Sequence, residues 1–278
     1  MRLMMVEWLE LGYFATMALV ALVRRRSALP PRRAARFIVA GAGLVSLGIA
    51  SSWLLPPRVA SIVRDWLPAP LILCAYWLAG SVSSVPHLRL ETWLRRLDER
   101  LLGERPAAPS GGWRRRLELA SELAYVLCYP LPPLGLGVLY LARLRSHSDF
   151  YWCVVLAPSY VCYVVTALWP TRPPRLLGGP AARPRTGAAR RFNLWVLGHA
   201  GIGINTFPSA HVTASFGVAL ALALLTPPLG AAALMLATAI AVATVVGRYH
   251  YLADAVLGSL LAGGAYALGL ALLGPAAA

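Results

Sequence analysis

Apolar residues gather into eight stretches along the chain, and polar residues and prolines separate these stretches. A membrane-spanning helix needs about 20 apolar residues, and most of the stretches come close to that length. The sequence therefore predicts an all-α fold, a polytopic membrane helix bundle with about eight spans. The predicted spans are residues 3–23, 37–55, 69–86, 117–141, 150–169, 208–226, 230–247 and 250–273.

The fourth predicted span contains Pro130, Pro132 and Pro133. Proline lacks a backbone donor and clashes with the preceding helical turn, so we expect this span to kink or break partway. A break at membrane depth is tolerated only where protein or water satisfies the freed carbonyl groups.

Two connections between spans are predicted to lie at the membrane surface. In residues 87–116, leucines recur at near-helical spacing between arginines, a pattern typical of an interfacial amphipathic helix. Residues 192–204 are predicted to form a second, short interfacial piece. The chain thus divides into N-terminal spans over 1–86, of which the third joins the core, an interfacial helix and loop over 87–116, and a membrane core over 117–278.

The composition supports a membrane protein, because 58% hydrophobic residues and a mean hydropathy of +0.63 exceed the usual balance of soluble proteins. The net charge of +15 comes from 26 arginines and no lysine, clustered where they can face anionic lipid headgroups. The basic segments are short and contain no recognisable nucleic-acid module, so membrane lipids and not nucleic acids are the expected partners. We expect an integral multi-pass protein of a bacterial-type cell membrane.

Acidic residues and cysteines add little chemistry to this picture. The four cysteines fall inside apolar runs without metal-ligand spacing and are predicted to be small core or lipid-facing residues. Four glutamates near span ends are predicted to be mostly solvated, although the last of them could face a headgroup cavity. They are Glu7, Glu10, Glu118 and Glu122.

A short polar stretch with helix-start signals begins the sixth predicted span. Pro208 suits the first helical position, and Asn205 or Thr206 could cap the helix. The free amides around Ser209 and Ala210 would then point toward whatever lies before the helix. The sequence therefore predicts an anion site at this helix N-terminus.

A histidine and an acid at the start of the last span carry the strongest chemical signal. His250 and Asp254 are four residues apart, so on a helix Asp254 can accept the Nδ1 proton and leave Nε2 as a nucleophile. Ionisable residues in membrane helices are costly and usually paired or functional. His211, from the neighbouring helix, is expected to act as a general acid.

Two arginines, Arg172 and Arg248, are expected to bind phosphate oxygens beside these histidines. With eight spans, the end of the fifth, the start of the sixth and the junction of the seventh and eighth all reach one face of the membrane. Taken alone, His211 could equally be a capping or packing residue, and Arg248 an ordinary interface arginine. A zinc site is disfavoured because the arginines would repel a cation, so no metal is predicted.

At these residues the chain resembles the type 2 phosphatidic acid phosphatase superfamily. That superfamily shows Lys-x6-Arg-Pro, then Pro-Ser-Gly-His, then Ser-Arg-x5-His-x3-Asp. Residues 208–211 read Pro-Ser-Ala-His, and residues 250–254 keep His-x3-Asp. The resemblance covers about residues 117–273, and its six-span core would correspond to predicted spans three to eight.

The first and third motifs depart from the superfamily pattern. Val165 stands at the lysine position before Arg172, and Thr244 stands at the arginine position of the third motif. Thr244 and Arg248 are one helical turn apart, so the longer side chain could reach the same phosphate. The inositol phosphorylceramide synthase-like branch resembles this variant, with a Pro-x-x-Pro-Pro-Arg first motif that ends here at Arg175.

The resemblance implies a metal-independent transfer without a cofactor, in which His250 attacks a lipid-linked phosphate and water or an alcohol then takes the phosphoryl group. The expected substrate is a phospholipid or a polyprenyl or sphingolipid phosphate. Two alternatives stay open: a synthase-like transferase that moves a phospho-headgroup to a lipid alcohol, and a non-catalytic lipid-phosphate binder or transporter. The predicted residues are His250, His211 and Asp254 for catalysis, Arg172, Arg248, Ser209 and Ala210 for substrate phosphate, and Arg175 and Thr244 as possible additions.

Two arguments about sidedness disagree. Of the 26 arginines, 21 fall in the connections after spans one, three, five and seven, which share the face of the motifs. The positive-inside rule then predicts that the site faces the cytoplasm. Many relatives in the superfamily work on the extracytoplasmic or lumenal face, but the bias persists without the three candidate site arginines. We therefore expect a cytoplasm-facing site.

Overall fold

The apolar stretches form helices, because a bilayer offers no water to backbone groups and a helix satisfies them internally. The computed structural model describes residues 3–24, 31–82, 85–103, 112–177, 187–204 and 206–273. The chain is an all-α polytopic membrane bundle. The described residues form α1 (Met5–Val23), α2 (Pro31–Leu54), α3 (Pro57–Trp66), α4 (Pro68–Val82), α5 (Leu88–Leu102), α6 (Gly112–Leu127), α7 (Leu131–Leu141), α8 (Ser148–Leu168), α9 (Ala188–Ala200), α10 (Ala210–Leu225), α11 (Pro227–Val246) and α12 (Leu252–Leu273).

Within the described ranges, six helical segments are long and apolar enough to cross a membrane, and the bent pair of α6 and α7 makes up to seven. The apolar helix α10, with 16 residues, falls short of the usual span length. These segments follow the order of the eight predicted spans. The six are Met5–Val23, Arg32–Leu54, Pro57–Val82, Arg145–Leu168, Pro227–Val246 and Leu252–Leu273.

Proline positions explain both the break in the fourth span and the early start of the third. Helices α6 and α7 meet at 69°, and Pro130 lies in the break, where the sequence predicts one. The third span was predicted to begin at residue 69, and this is wrong, because the continuous segment begins at Pro57. Arg64 and Asp65 do not end it, since both side chains bind partners from other helices.

Helix α8 lies at the centre of the bundle and contacts α1, α4, α10 and α12. Its Tyr151, Trp152 and Val154 are completely buried. A helix apolar on all sides is expected to be surrounded by other helices. Its position matters for function because the first-motif residues follow directly from its C-terminal end.

Helix α1 runs parallel to α8 and is bound to it at both ends. The Asp149 carboxylate accepts hydrogen bonds from the backbone amides of Met5 and Val6, each at 2.8 Å. At the other end, the Arg24 guanidinium donates to the carbonyl groups of Ala167, at 2.7 Å, and of Leu168. The N-terminal spans are therefore packed into the bundle.

Two glutamates of α1 contradict the prediction that they are solvated. Glu7 is 5% exposed and forms an ion pair with Arg64 at 2.6 Å. Glu10 is 1% exposed. Both side chains are buried because α1 packs against α2, α4 and α8.

The candidate motifs meet on one side of the bundle, called here the motif side, where α8 ends and α10 begins. The His87 amide donates to the Pro170 carbonyl at 2.7 Å, so the segment after α4 reaches this side too. Helix α5 lies here, within the 87–116 connection that was predicted to contain an interfacial helix and a loop. Helix α9 covers most of the predicted 192–204 piece. The predicted meeting of three chain segments on one side is present in the structure.

Candidate active site

Helix α10 begins two residues later than predicted. Ser209, and not Thr206, caps it, because the Ser209 hydroxyl accepts a hydrogen bond from the Val212 amide at 3.4 Å. Asn205, the other predicted cap, lies outside the described residues. Pro208 lies before the helix and not in its first turn.

Two backbone amides remain available at the start of α10. The Ser209 amide donates to the Asp254 carbonyl at 3.2 Å, so it does not face a ligand. Among the described residues, the amides of Ala210 and His211 have no hydrogen-bond partner. The positive end of the helix dipole adds to their attraction for an anion. The Ala210 amide is thus free to donate to an anion, as predicted for this helix start. Ser209 instead caps the helix through its hydroxyl and binds the Asp254 carbonyl through its amide.

The turn between α11 and α12 places the second histidine. Helix α11 ends at Val246, and Arg248 adopts a left-handed backbone conformation with φ of 60°. The Thr244 carbonyl accepts hydrogen bonds from the amides of Tyr249, at 2.8 Å, and His250, at 3.0 Å. One carbonyl group therefore anchors the turn that carries His250.

The predicted shared face of Thr244 and Arg248 is wrong, because the helix ends between them. The Arg248 guanidinium donates to the Pro174 carbonyl at 3.0 Å, and the Thr244 hydroxyl donates within α11 to Ala241 at 2.7 Å. Both side chains therefore donate hydrogen bonds to backbone carbonyl groups. Phosphate binding by either residue remains a prediction.

His250 is held by two acceptors at the same nitrogen. Its Nδ1 atom lies 2.8 Å from the Thr206 carbonyl oxygen and 3.3 Å from the Oδ2 atom of Asp254. A carbonyl oxygen can only accept, so Nδ1 carries the proton and Nε2 carries the free lone pair. Asp254 Oδ2 also accepts from the Tyr251 amide at 2.9 Å, which fixes the carboxylate. The structure therefore brings together the predicted pair and adds Thr206, for which no such role was predicted. The prediction that both residues lie on one helix is wrong, because α12 begins at Leu252 and His250 lies in the turn before it.

His211 lies beside His250, with ring centroids 5.6 Å apart and ring planes at 82°. Tyr125 and Tyr129 of the α6 end flank the His211 ring edge-on, at centroid distances of 5.7 Å and 5.3 Å. These tyrosines form an aromatic wall next to the two histidines. No role was predicted for these tyrosines, and the signal that could have found them is their spacing of four residues, which predicts a shared face on a helix.

Arg175 is the arginine whose charge acts on this pocket. Its guanidinium carbon lies 5.4 Å from the centre of the Tyr249 ring, and burial lowers the pKa of its side chain. Burial lowers the pKa of His250 to about 3; the Thr206 hydrogen bond opposes this shift, and the positive charge of Arg175 adds to it. In the described part of the chain, the Arg175 guanidinium has no ion pair. A desolvated cation without a carboxylate partner suits an anionic ligand.

Arg172, in contrast, is already paired. Both oxygens of Glu91 accept from its guanidinium, at 2.7 Å and 3.1 Å, and Glu91 Oε2 accepts from the Arg172 amide at 3.0 Å. Burial raises the pKa of Glu91, but the bonds and charge of Arg172 more than offset this, so the pKa of Glu91 is lowered. Phosphate binding by Arg172 remains a prediction that requires this pair to open.

A buried polar network behind the pocket was also missed. The Glu122 carboxylate accepts hydrogen bonds from Arg190 at 3.1 Å, Asn193 at 2.7 Å and Tyr249. The Tyr249 ring stacks on Tyr125 with centroids 3.7 Å apart. Glu122 is 4% exposed, so the expectation that it is mostly solvated is wrong. The network connects α6, α9 and the residue before His250.

The site is suited to an oxyanion. Within the described residues, no group of three or more His, Cys, Asp and Glu side chains is placed to hold a metal ion. The free amides belong to Ala210 and His211, and the unpaired Arg175 lies over the ring of Tyr249, the residue before His250. Such a combination can bind phosphate oxygens and move protons beside them.

A family model described as the PAP2 superfamily matches residues 92–268. The chain belongs to this superfamily. The match covers well over half of the chain, from the second turn of α5 into α12, and so includes both histidines, Asp254 and Arg175. No curated protein and no solved structure matches the chain. Membership in the PAP2 superfamily supports a lipid phosphatase-type activity.

Proposed function

We propose that this PAP2-superfamily chain transfers the phosphoryl group of a membrane lipid phosphate through a phosphohistidine on His250. The observation that carries the proposal is the contact between His250 Nδ1 and the Thr206 carbonyl. It gives the imidazole one tautomer, with Nε2 unprotonated, as a nucleophile requires. Binding of a phosphate alone does not require an oriented, neutral imidazole, which argues against a non-catalytic binder.

In the first step, His250 Nε2 attacks the phosphorus atom and the ester bond to the lipid oxygen breaks. The leaving lipid oxygen takes a proton from the imidazolium form of His211, which becomes neutral; the His211 ring lies 5.6 Å from the His250 ring. Arg175 and the free amides of Ala210 and His211 hold the phosphate oxygens as charge develops on them. No metal ion is needed in this step, because cationic and amide donors already surround the phosphate.

In the second step, an oxygen of water or of an alcohol attacks the phosphorus, and the phosphorus–nitrogen bond breaks. The proton of the attacking oxygen passes to His211, which returns the site to its starting state. With water the reaction is hydrolysis. With an alcohol it is transfer, and a phosphodiester donor with a lipid-alcohol acceptor would give synthase-like chemistry.

One observation favours the transferase as a second candidate. The arginine without a carboxylate partner is Arg175, which lies over the Tyr249 ring next to His250 and ends the Pro-x-x-Pro-Pro-Arg stretch. Arg172 of the Arg-Pro dipeptide is bound to Glu91. This stretch is the variant first motif that resembles the inositol phosphorylceramide synthase-like branch. Hydrolysis and transfer share the phosphohistidine, so one experiment can address both.

The test uses the purified full-length protein and a panel of lipid phosphates labelled at phosphorus. A phosphohistidine is labile in acid and stable in alkali, so quenching in each identifies the bond. We expect label on the wild-type protein and none on His250→Ala, with turnover lowered by at least about 10³-fold. The matched control is His199→Ala, which removes an exposed histidine of α9.

Three further arms separate the candidates. Added inositol or lipid alcohols should yield phosphorylated acceptors only if the chain is a transferase. EDTA should leave the rate unchanged, and loss restored by zinc or magnesium would contradict the metal-free step. Near-normal turnover by folded His250→Ala protein, or a label that is stable in acid, would overturn the assignment of His250 as the nucleophile. Binding of the lipid phosphate without release of phosphate would indicate a non-catalytic binder.

A further inference from the structure

We propose that the outer face of α5 binds the headgroup of an anionic phospholipid from the surrounding leaflet. This face forms an open groove of about 480 Å³ on the motif side of the bundle. The site is separate from the histidine pocket, because its lining belongs to α5 alone and the opposite face of α5 contacts Arg172 and the start of α12. The groove is lined by Leu88, Arg89, Thr92, Trp93, Arg96, Leu97 and Arg100.

The polar lining of the groove is cationic. Arg89, Arg96 and Arg100 are exposed, and among the residues that the structure describes no acidic residue lines the groove. Within the part of the chain that the structure describes, none of these three side chains forms an ion pair or hydrogen bond. Arg95, outside the groove, is the contrast, since it pairs with Glu99 at 3.7 Å. Three unpaired guanidinium groups along one helix face match the oxygens of a phosphodiester.

The apolar lining indicates a lipid in place of a soluble anion. Leu88 is 62% exposed and Trp93 is 54% exposed, so both side chains can contact lipid. Tryptophan is enriched at the level of lipid headgroups, and leucine at this depth can contact the first methylene groups of acyl chains. Charge complementarity with apolar contact therefore favours an anionic phospholipid.

Contacts on the inner face fix which side of α5 the lipid meets. Glu91 binds Arg172 through two oxygens, and the Asp98 carboxylate accepts from the Leu252 amide at 2.9 Å. Both acidic side chains are buried, at 6% and 7% exposure. The Glu91 and Asp98 carboxylates of the inner face therefore bind the loop after α8 and the start of α12, and they do not neutralise the arginines of the outer face. The outer face is left with uncompensated positive charge, and it cannot rotate inward without breaking these contacts.

The test measures lipid binding to the full-length protein in neutral detergent micelles by native mass spectrometry. The probes are phosphatidylglycerol, phosphatidylcholine as the zwitterionic lipid, and glycerol 3-phosphate as the soluble headgroup. The groove variant is Arg89→Gln, Arg96→Gln and Arg100→Gln combined. The matched control combines Arg32→Gln, Arg33→Gln and Arg36→Gln, which remove the same charge from exposed positions of α2.

We expect the groove variant to bind phosphatidylglycerol at least about tenfold more weakly, because each arginine near anionic lipid strengthens binding severalfold. The control variant should change by less than about twofold, and phosphatidylcholine should bind both proteins equally weakly. The titration is repeated with Arg175→Gln added to every variant, which removes the guanidinium group proposed to bind phosphate in the histidine pocket. The difference between the groove and control variants should persist there.

Several results would overturn the proposal. Equal weakening by the two triple variants would indicate diffuse electrostatic attraction without a site. Displacement of the lipid by millimolar glycerol 3-phosphate would indicate a soluble-anion site. Trp93→Ala tests the apolar lining without changing charge, and unchanged binding in that variant would also contradict the lipid assignment. Because turnover is not measured, failure here leaves the proposed phosphohistidine chemistry untouched.

Discussion

The Nδ1 atom of His250 donates to the carbonyl oxygen of Thr206 at 2.8 Å, a shorter contact than the 3.3 Å to the Asp254 carboxylate. The backbone thus fixes the imidazole tautomer even without the acid. We expect Asp254→Asn to lower kcat about tenfold, since an amide oxygen can still accept from the Tyr251 amide. Where a buried aspartate alone orients a catalytic histidine, the same change costs about 10⁴-fold. Steady-state kinetics decide between these magnitudes, and a 10⁴-fold loss would show that the carboxylate dominates.

The protonation state of His250 gives a prediction about pH. Burial lowers its pKa to about 3, with the positive charge of Arg175 as a further lowering cause. A lowered histidine pKa means that the neutral nucleophile persists as the pH falls and is lost only near pH 3. We therefore expect no loss of kcat/KM near pH 6.5 from protonation of His250.

The matched variant for this pH prediction is Arg175→Gln. Removing the nearby positive charge should raise the pKa of His250, so the acid limb of kcat/KM should move to higher pH. Ionisation of the substrate is common to both proteins, and their difference therefore reports on the enzyme. An acid limb at the same pH in both proteins would show that Arg175 does not act on His250.

Arg175 and Arg172 should respond differently to substitution. Arg175 has no carboxylate partner among the described residues, so Arg175→Gln should lower kcat/KM by about 10²-fold or more through lost transition-state stabilisation. Arg172 is bound to Glu91, and its substitution should act mainly by releasing α5. A double-mutant cycle with Glu91→Gln and Arg172→Gln measures this, because residues that act as one pair give non-additive losses.

The cycle has a clear contrary result. If Arg172 binds the substrate phosphate directly, Glu91→Gln should leave activity intact or raise it, and Arg172→Gln should be costly in either background. Additive losses would therefore assign Arg172 to the phosphate. Strong non-additivity would assign it to the α5 contact.

The helical architecture could be predicted from the sequence because apolar length and proline position act locally. The break near Pro130 is an example, since proline disrupts its own helix whatever surrounds it. The start of the third span could not be predicted, because Arg64 and Asp65 look like the end of a span. They are accommodated in the bundle by Glu7 and Ser148, which are distant in sequence.

In the candidate site, too, features set by local spacing could be predicted, and features set by residues distant in sequence could not. His250 and Asp254 could be paired from their spacing, and the contact is present even though His250 lies two residues before α12 and not in its first turn. The roles of Arg172 and Arg175 could not be separated, because the difference lies in Glu91, about 80 positions earlier in the chain. Thr206 was missed because it acts through its backbone carbonyl, which every residue type has.

The network around Glu122 predicts an effect on stability. Glu122→Gln leaves Arg190, with a side chain only 11% exposed, without its carboxylate partner. Breaking a buried ion pair costs about 3 kcal/mol or more. The control is Glu99→Gln, whose pair with Arg95 is more than half exposed on both sides and should contribute less than about 1 kcal/mol. Thermal unfolding in detergent should therefore separate the two variants, and equal midpoints would contradict a structural role for Glu122.

Sidedness can be tested at two positions on opposite sides of the bundle. Ser146 is exposed just before α8, at the end where Asp149 binds the start of α1. Arg191 is exposed on α9, next to Arg190 of the Glu122 network on the motif side. Each is replaced by cysteine in a background without the four native cysteines, which are all buried.

We predict that the motif side faces the cytoplasm, because 21 of the 26 arginines belong to connections on that side. A membrane-impermeant maleimide applied to intact cells should then label Ser146→Cys readily and Arg191→Cys only after permeabilisation. The paired design controls for expression and reactivity, since each variant is positive in one condition. Ready labelling of Arg191→Cys from outside, with Ser146→Cys protected, would place the site on the extracytoplasmic face. In that case the arginines of the motif side would reflect binding to anionic headgroups of the outer leaflet and not the insertion rule.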